Sequence, residues 1–293
     1  MSIARPSISY AQDAWRRFRQ NRVALAGLIF VLIMVLGSIF VPLLSPMPID
    51  QQNLEYTYVK PMTYAPDLNH MFIFGTDNLG RDLWVRTWYG ARISLSIGIL
   101  AALISVLIGV PYGGISGYSG GTVDIIMMRI VEIVSGIPYM ILVILFLVVL
   151  PRGYLTIVAA MSIVIWTSPA RLVRAQVLQL KGQEFILAAK TLGASTGRII
   201  SKHLIPNSLG VVVIQMTMTI PSAIFSEAFL SYIGIGIQPP MASWGTLARD
   251  GVQIFQLNPW VMFIPATFIC LTMLSLNLIG DALRNALDPK LRR

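Results

Sequence analysis

Six apolar runs, each near the length of a bilayer crossing, leave this chain few ways to fold. They cover residues 23–44, 93–112, 125–150, 154–170, 208–226 and 259–280. A helix crossing a hydrocarbon core of roughly 30 Å needs about 20 mostly apolar residues. Lipid offers no partner for backbone N–H and C=O groups, so runs of this length predict helices. Only 12% of the 293 residues are charged, against about 25% in soluble domains. That is too few to cover a soluble surface. The expected fold class is an all-α integral membrane protein with six transmembrane helices. The first run holds 22 uncharged residues, longer than the roughly 7–15 of a signal peptide's apolar segment, and is read as a span. The single cysteine, Cys270, allows no internal disulfide and is expected in the core.

Basic residues set the orientation. With six spans both ends share a side with the loop 113–124 and an insert at 171–206. Sixteen Lys/Arg fall on that side, counting Arg129 at a span edge. Six fall opposite: Lys60, Arg81, Arg86, Arg92, Arg152 and Arg249. The positive-inside rule then predicts cytoplasmic termini. It also accounts for the net charge of +9 without a nucleic-acid partner. The run 154–170 is short and the weakest by hydropathy. Dropping it would put the insert and the C-terminus on opposite sides. In the third run, Arg129 and Glu132 are three apart and are expected to pair.

The chain divides into a cytoplasmic N-terminal segment (1–22), a first helix (23–44), an extracytoplasmic loop (45–91), a five-helix core (92–281) and a cytoplasmic tail (282–293). Trp15, Phe18 and four arginines make 9–22 either an interfacial helix or a plain flank of the first span. His70 has no cysteine or second histidine beside it and is weak evidence for metal. Trp84, Trp88, Trp244 and Trp260 suit an interfacial aromatic belt.

The insert does not suit a membrane interior. It carries six Lys/Arg (Arg171, Arg174, Lys181, Lys190, Arg198, Lys202) and one acid, Glu184. Phe185, Ala188, Ala189 and Leu192 stand at helical spacing. Gly193 can close that helix in the left-handed conformation. Ser195 can cap a second, shorter helix, which Pro206 is expected to stop before the next span. A two-helix knuckle on the positive side is suited to pressing into another protein.

Other chemistries find no residues. There is no G-x-x-x-x-G-K-[ST] phosphate loop, no HExxH and no G-x-S-x-G. Two histidines and one cysteine do not suggest a catalytic or metal centre. Few charges lie deep in the spans, so no buried ion relay marks a secondary transporter. A membrane enzyme would need convergent polar groups that are missing, and a mere scaffold would not explain the insert.

Three segments carry a family resemblance. LAAKTLGASTGRIISKHLIP (187–206) resembles the E-A-A-x3-G-x9-I-x-L-P loop of ABC importer permeases. Ala188, Ala189, Gly193 and Pro206 match. Leu187 stands for the acid, His203 for Ile and Ile205 for Leu, with Glu184 one turn earlier as a substitute acid. FGTDNLGRDLWVRTWYGARISLSIG (74–98) is similar to the GTDxxGRDxxSRxxxGxRxSLxxG signature of the dipeptide/oligopeptide/nickel branch; its matches include Gly75, Asp77, Gly80, Arg81, Asp82, Gly90 and Arg92. EAFLSYIGIGIQPPMASWGTLARDG (227–251) resembles that branch's E-x-x-LSFLGLG-x-x-PxPSWG segment, with Glu227, Gly234, Gly236, Trp244 and Gly245. With YSGGTVDIIMMR (118–129) the resemblance spans most of 75–288.

The resemblance implies a type I ABC importer permease fold with a cytoplasmic coupling helix at about 195–204. It implies a non-catalytic subunit in a bacterial or archaeal cytoplasmic membrane, moving di- or oligopeptides, or alternatively nickel or a metal chelate. Partners would be a sister permease in a heterodimer, two ATP-binding subunits and an extracytoplasmic substrate-binding protein. ATP and Mg²⁺ would belong to those subunits, and this chain would hold no cofactor or metal. The loop 184–206 would couple to the ATPases through Glu184, Ala188, Ala189, Gly193, Ser195, Arg198, Lys202, His203 and Pro206. Beside this, the residues suggest glycines that turn or pack closely at the external rim. They also suggest a knot of Asp77, Arg81 and Asp82, and a Glu227 that either lines the pathway or pairs with Arg249.

Overall fold

The computed structural model describes residues 10–287. Residues 1–9 of the N-terminal segment and 288–293 of the tail lie outside the described residues. The chain opens with α1 (Tyr10–Gln20) and α2 (Arg22–Leu44), joined at Asn21, whose Oδ1 accepts from the Val23 and Ala24 N–H groups. A cap of irregular chain follows, holding the antiparallel pair β1 (Thr63–Ala65) and β2 (His70–Phe72), with Thr63 opposite Phe72. Then come α3 (Leu83–Ser119), α4 (Gly121–Gly136), α5 (Tyr139–Val149), α6 (Tyr154–Ile165) and α7 (Thr167–Leu180). The insert supplies α8 (Glu184–Thr191) and α9 (Thr196–Ile199). A π-helical turn, Ile200–Leu204, leads into α10 (Ile205–Tyr232), followed by α11 (Trp244–Gln253) and α12 (Trp260–Leu287).

Among the described residues, five helical stretches are long and apolar enough to cross a membrane: Arg22–Leu44, Leu83–Ser119, Tyr154–Leu180, Thr196–Tyr232 and Trp260–Leu287. The third apolar run departs from the expected single span. It is two helices, α4 and α5, bent by 80° at a short break. Pro138 causes the break. It has no N–H for the helical ladder, and it forces the residue before it out of the helical region. Ile137 is accordingly extended, with ψ 131°. The cap is also shorter than expected. Asp82 accepts a hydrogen bond from the Trp84 N–H at 2.8 Å and starts α3 at Leu83 rather than near residue 92. At 37 residues, α3 runs about 55 Å and projects well beyond a bilayer core.

The closest helix seam joins α3 to α7. Gly109, Gly113 and Gly117 recur every fourth residue, on one face of α3. A Cβ on each would stand 2.6, 2.2 and 2.8 Å from the carbonyl oxygens of Trp166, Ala170 and Arg174. Small residues at this spacing let two backbones approach without side chains between them, the main source of helix packing inside lipid. α2 joins α3 differently. Pro42 leaves the Ser38 carbonyl without its helical donor, and Arg92 Nε donates to that carbonyl at 3.1 Å.

For Trp84, Trp88 and Trp244 the expected tryptophan belt is corrected. Phe74, Trp84, Trp88, Phe268 and Trp244 pack ring against ring between α3 and α12, at centroid distances of 4.8–6.2 Å. Trp244 is fully buried and its Nε1 donates to the Thr87 carbonyl at 3.0 Å, so its polar edge needs no headgroup. Trp260 is half-buried at the start of α12. Cys270 is exposed on α12 rather than buried in the core.

Gly113→Val forces α3 and α7 apart. Overpacking of this kind costs about 1–3 kcal/mol, so the melting temperature of the purified protein in detergent should fall. Gly136→Val, where nothing lies within 4 Å of an added Cβ, should leave it nearly unchanged.

Candidate functional site

The insert is built around its own small core. Ile186 from α8, and Ile199, Ile200 and Leu204 from the second arm, pack on Val173 and Val177 of α7, Val110 of α3 and Val212 of α10. Its first helix closes as a Schellman motif. Gly193 sits at φ +82°, its N–H donates to the Lys190 carbonyl at 2.9 Å, and the Ala194 N–H donates to the Ala189 carbonyl at 3.0 Å. Ser195 caps α9, accepting from the Arg198 N–H at 3.4 Å.

Inward and outward faces then separate. Ala189 is buried, and Glu184, Ala188, Ser195, Arg198, Lys202 and Pro206 are exposed, with His203 half-buried. Phe185, Leu187 and Leu192 are exposed, Leu192 at 87%. The helical spacing of Phe185 and Leu192 therefore marks an outer face, and Ile186 and Ala189 form the inner one.

Pro206 does not stop the second arm. Helix runs without interruption from Thr196 to Tyr232. A proline inside an α-helix clashes with the carbonyl four residues back. The π turn at Ile200–Leu204 changes the register, closing with Ile205 N–H on the Ile200 carbonyl, and Pro206 falls in the first turn of α10. α9 and α10 are thus one rod.

A corner of charges ties this rod's neighbours to the bundle. Arg174 holds Asp124 through two bonds, Nε–Oδ1 at 2.5 Å and Nη2–Oδ2 at 2.6 Å, and Ser116 Oγ donates to the same carboxylate at 2.5 Å. Lys181 Nζ donates to the Gly117 carbonyl at 3.1 Å, and Lys190 lies 5.1 Å from the Tyr118 ring centre. Tyr118, Asp124 and the flanking glycines come from the YSGG segment, and its partners come from the insert. Arg129 and Glu132 pair as expected, at 2.7 Å and exposed.

At the other end, the expected knot is rearranged. Asp77 bonds Arg81 Nε at 2.7 Å and the Arg81 N–H at 3.0 Å, and pairs with Arg86 at 3.2 Å. Asp82 joins His70 instead, Oδ2 to Nε2 at 2.8 Å. Burial pushes the Asp82 carboxyl above the usual carboxylate range, opposed by the His70 and Trp84 hydrogen bonds. Gly75 and Gly80 turn the cap at positive φ, with an added Cβ at Gly80 landing 1.8 Å from the Asn53 carbonyl oxygen. Gly90 and Gly245 bring α3 and α10 against the start of α11. Gly234 faces the Arg249 guanidinium, and Gly236 packs on Ser231.

Glu227 neither lines a pathway nor pairs with Arg249. It is fully buried, taking hydrogen bonds from Ser94 Oγ at 2.8 Å and Ser231 Oγ at 2.7 Å. Those hydroxyls in turn accept the N–H groups of Trp244 (3.3 Å) and Ile237 (3.2 Å). The carboxyl therefore pins the loop between α10 and α11 to α3. Sequence reasoning missed Ser94, Arg86 and the Asp124–Arg174 pair. Nothing local signals contacts across such separations.

The fold and its insert define a membrane-spanning permease subunit. The family model for "Binding-protein-dependent transport system inner membrane component" matches residues 105–293, and that for the "N-terminal TM domain of oligopeptide transport permease C" matches 9–61. The chain belongs to the family of binding-protein-dependent transport system inner membrane components. It is 51% identical over 293 residues to the dipeptide transport system permease protein DppC of Bacillus subtilis (strain 168), covering 100% of this chain and 89% of that protein. It is 45% identical over 279 residues to the oligopeptide transport system permease protein OppC of Escherichia coli (strain K12), covering 95% and 91%. An inward-facing structure of the MetNI methionine ABC transporter shares the fold, with TM-score 0.56 and 21% identity over 69% of this chain and 96% of that one.

Asp124→Asn removes the charge that holds Arg174. A hydrogen bond to a charged group contributes about 1.5–3 kcal/mol. Amides of α4 should exchange with deuterium about tenfold faster or more, while those of α12 keep their rates.

Proposed function

We propose that this chain is a permease subunit of an ATP-driven importer that carries di- or oligopeptides across a cytoplasmic membrane. The carrying observation is the outer face of the insert. Leu187 and Leu192 are 51% and 87% exposed, beside the exposed Arg198 and Lys202. Exposed apolar residues ringed by polar ones mark a protein partner. The partners are two ATP-binding subunits below the insert, a sister permease beside the spans and an extracytoplasmic binding protein at the cap. ATP and Mg²⁺ act on those subunits, and this chain performs no catalysis. Peptide as the substrate class rests on the names of the relatives.

The arrangement supports a lever. The ATP-binding subunits draw together and carry the docked insert with them. α9 and α10 move as one rod, and the Lys181 and Lys190 contacts pass the motion to the end of α3. Such rigid-body movement exchanges access between the two sides. The described ends also fit cytoplasmic termini: α1 packs on the last turns of α12, and α12 ends beside Pro206 of the insert and Asn207 next to it.

Gly193→Val tests this. Nothing lies within 4 Å of an added Cβ there, so the effect is the strain of a β-branched residue at positive φ, about 1–2 kcal/mol or more. The second arm should shift against the first. Peptide uptake by the assembled importer should fall at least tenfold while ATP hydrolysis persists and membrane insertion stays normal. Uptake at the wild-type rate would remove the coupling role from this loop.

A further inference from the structure

A cavity of about 1200 Å³ opens between α7, α10 and α12 at the insert end. It matches or exceeds the roughly 300–1,000 Å³ of most small-molecule sites. Four of its lining side chains are amides: Gln176 and Gln179 on α7, Asn207 and Gln215 on α10. They form two ladders at helical spacing. Gln215 lies near the middle of the 37-residue helix Thr196–Tyr232, and its Nε2 donates to Ser168 Oγ at 3.1 Å. Among the described residues, the charged side chains lining the cavity are Asp281 and Arg284, near the end of α12.

An amide at the depth of Gln215 is poorly matched to lipid. Polar side chains in spans face a bundle interior or water. Neutral amides offer donors and acceptors together, the pattern that a peptide backbone presents. They take no account of the substrate's side chains. A charged cargo such as a bare metal ion would instead call for carboxylates or imidazoles, and the cavity walls hold none along the two ladders.

We propose that the α7–α10 groove is this chain's wall of the translocation path, and that Gln176, Gln179, Asn207 and Gln215 bind the backbone of the passing peptide. Asp281 and Arg284 at the mouth offer one charge for each end of a zwitterion. The proposal rests on the peptide reading above and adds the residues that touch the cargo.

The test uses the complete importer in proteoliposomes with radiolabelled trialanine. The double variant Gln176→Leu/Gln215→Leu should lower uptake about tenfold. Gln253→Leu, an exposed amide on α11 outside the groove, should not. Co-purification of all subunits establishes that the variants assemble. A second measurement places Gln215→Cys in a Cys270→Ser background and adds a charged, membrane-impermeant methanethiosulfonate. The thiol should react, and trialanine should slow the reaction. Unchanged uptake in the double variant, an unreactive Gln215→Cys, or reaction that trialanine does not slow would each overturn the proposal. Failure of the wild-type importer to take up the peptide would instead overturn the peptide reading and this one with it.

Discussion

The fold depends on the close approach of α3 and α7. Three glycines set four apart let the two backbones touch over more than two turns, with carbonyls of Trp166, Ala170 and Arg174 lying where side chains would otherwise stand. In lipid there is little hydrophobic drive to hold helices together, so shape and polar contacts decide. The seam fixes α7, and α7 carries both Arg174, which fastens α4, and the valines on which the insert folds. A bulky residue at Gly113 would therefore disturb the bundle and the insert together.

The two ends of the molecule are organised by different means. At the cap end, buried charges and hydroxyls do the ordering: Asp77 with Arg81 and Arg86, Asp82 with His70, and Glu227 with two serines. Each of these carboxylates is bonded inside the chain. At the insert end the inner face is aliphatic, and Leu187, Leu192, Arg198 and Lys202 point outward. An end bonded internally and an end with exposed apolar and basic groups suit the proposed subunit that is moved as a body. The amide-lined groove runs inward from the insert end.

Much of this was legible in the sequence, because long apolar runs and the positive charge around them follow directly from the bilayer's demands. The loop 187–206 was legible too, since Gly193 and Ser195 act locally. What failed were effects of proline and of distance. Pro138 lies inside an apolar run and breaks it into α4 and α5. Pro206 looked like a stop, but the π turn before it keeps the helix whole. Glu227 meets Ser94 across 133 positions and Asp82 meets His70 across 12, and no pattern of spacing reveals such pairs. The glycines at 109, 113 and 117 carried a readable signal in their four-residue repeat. The amides of the groove stood in the sequence as isolated polar residues. Only the packing of α7 against α10 turns them into one surface.

The central claim is that this chain works as a driven subunit. The most direct measurement is to purify the tagged chain from its native membranes in mild detergent and identify what accompanies it. The account predicts a second six-span permease together with one or two ATP-binding subunits. Recovery of this chain alone, from membranes in which it supports uptake, would contradict it.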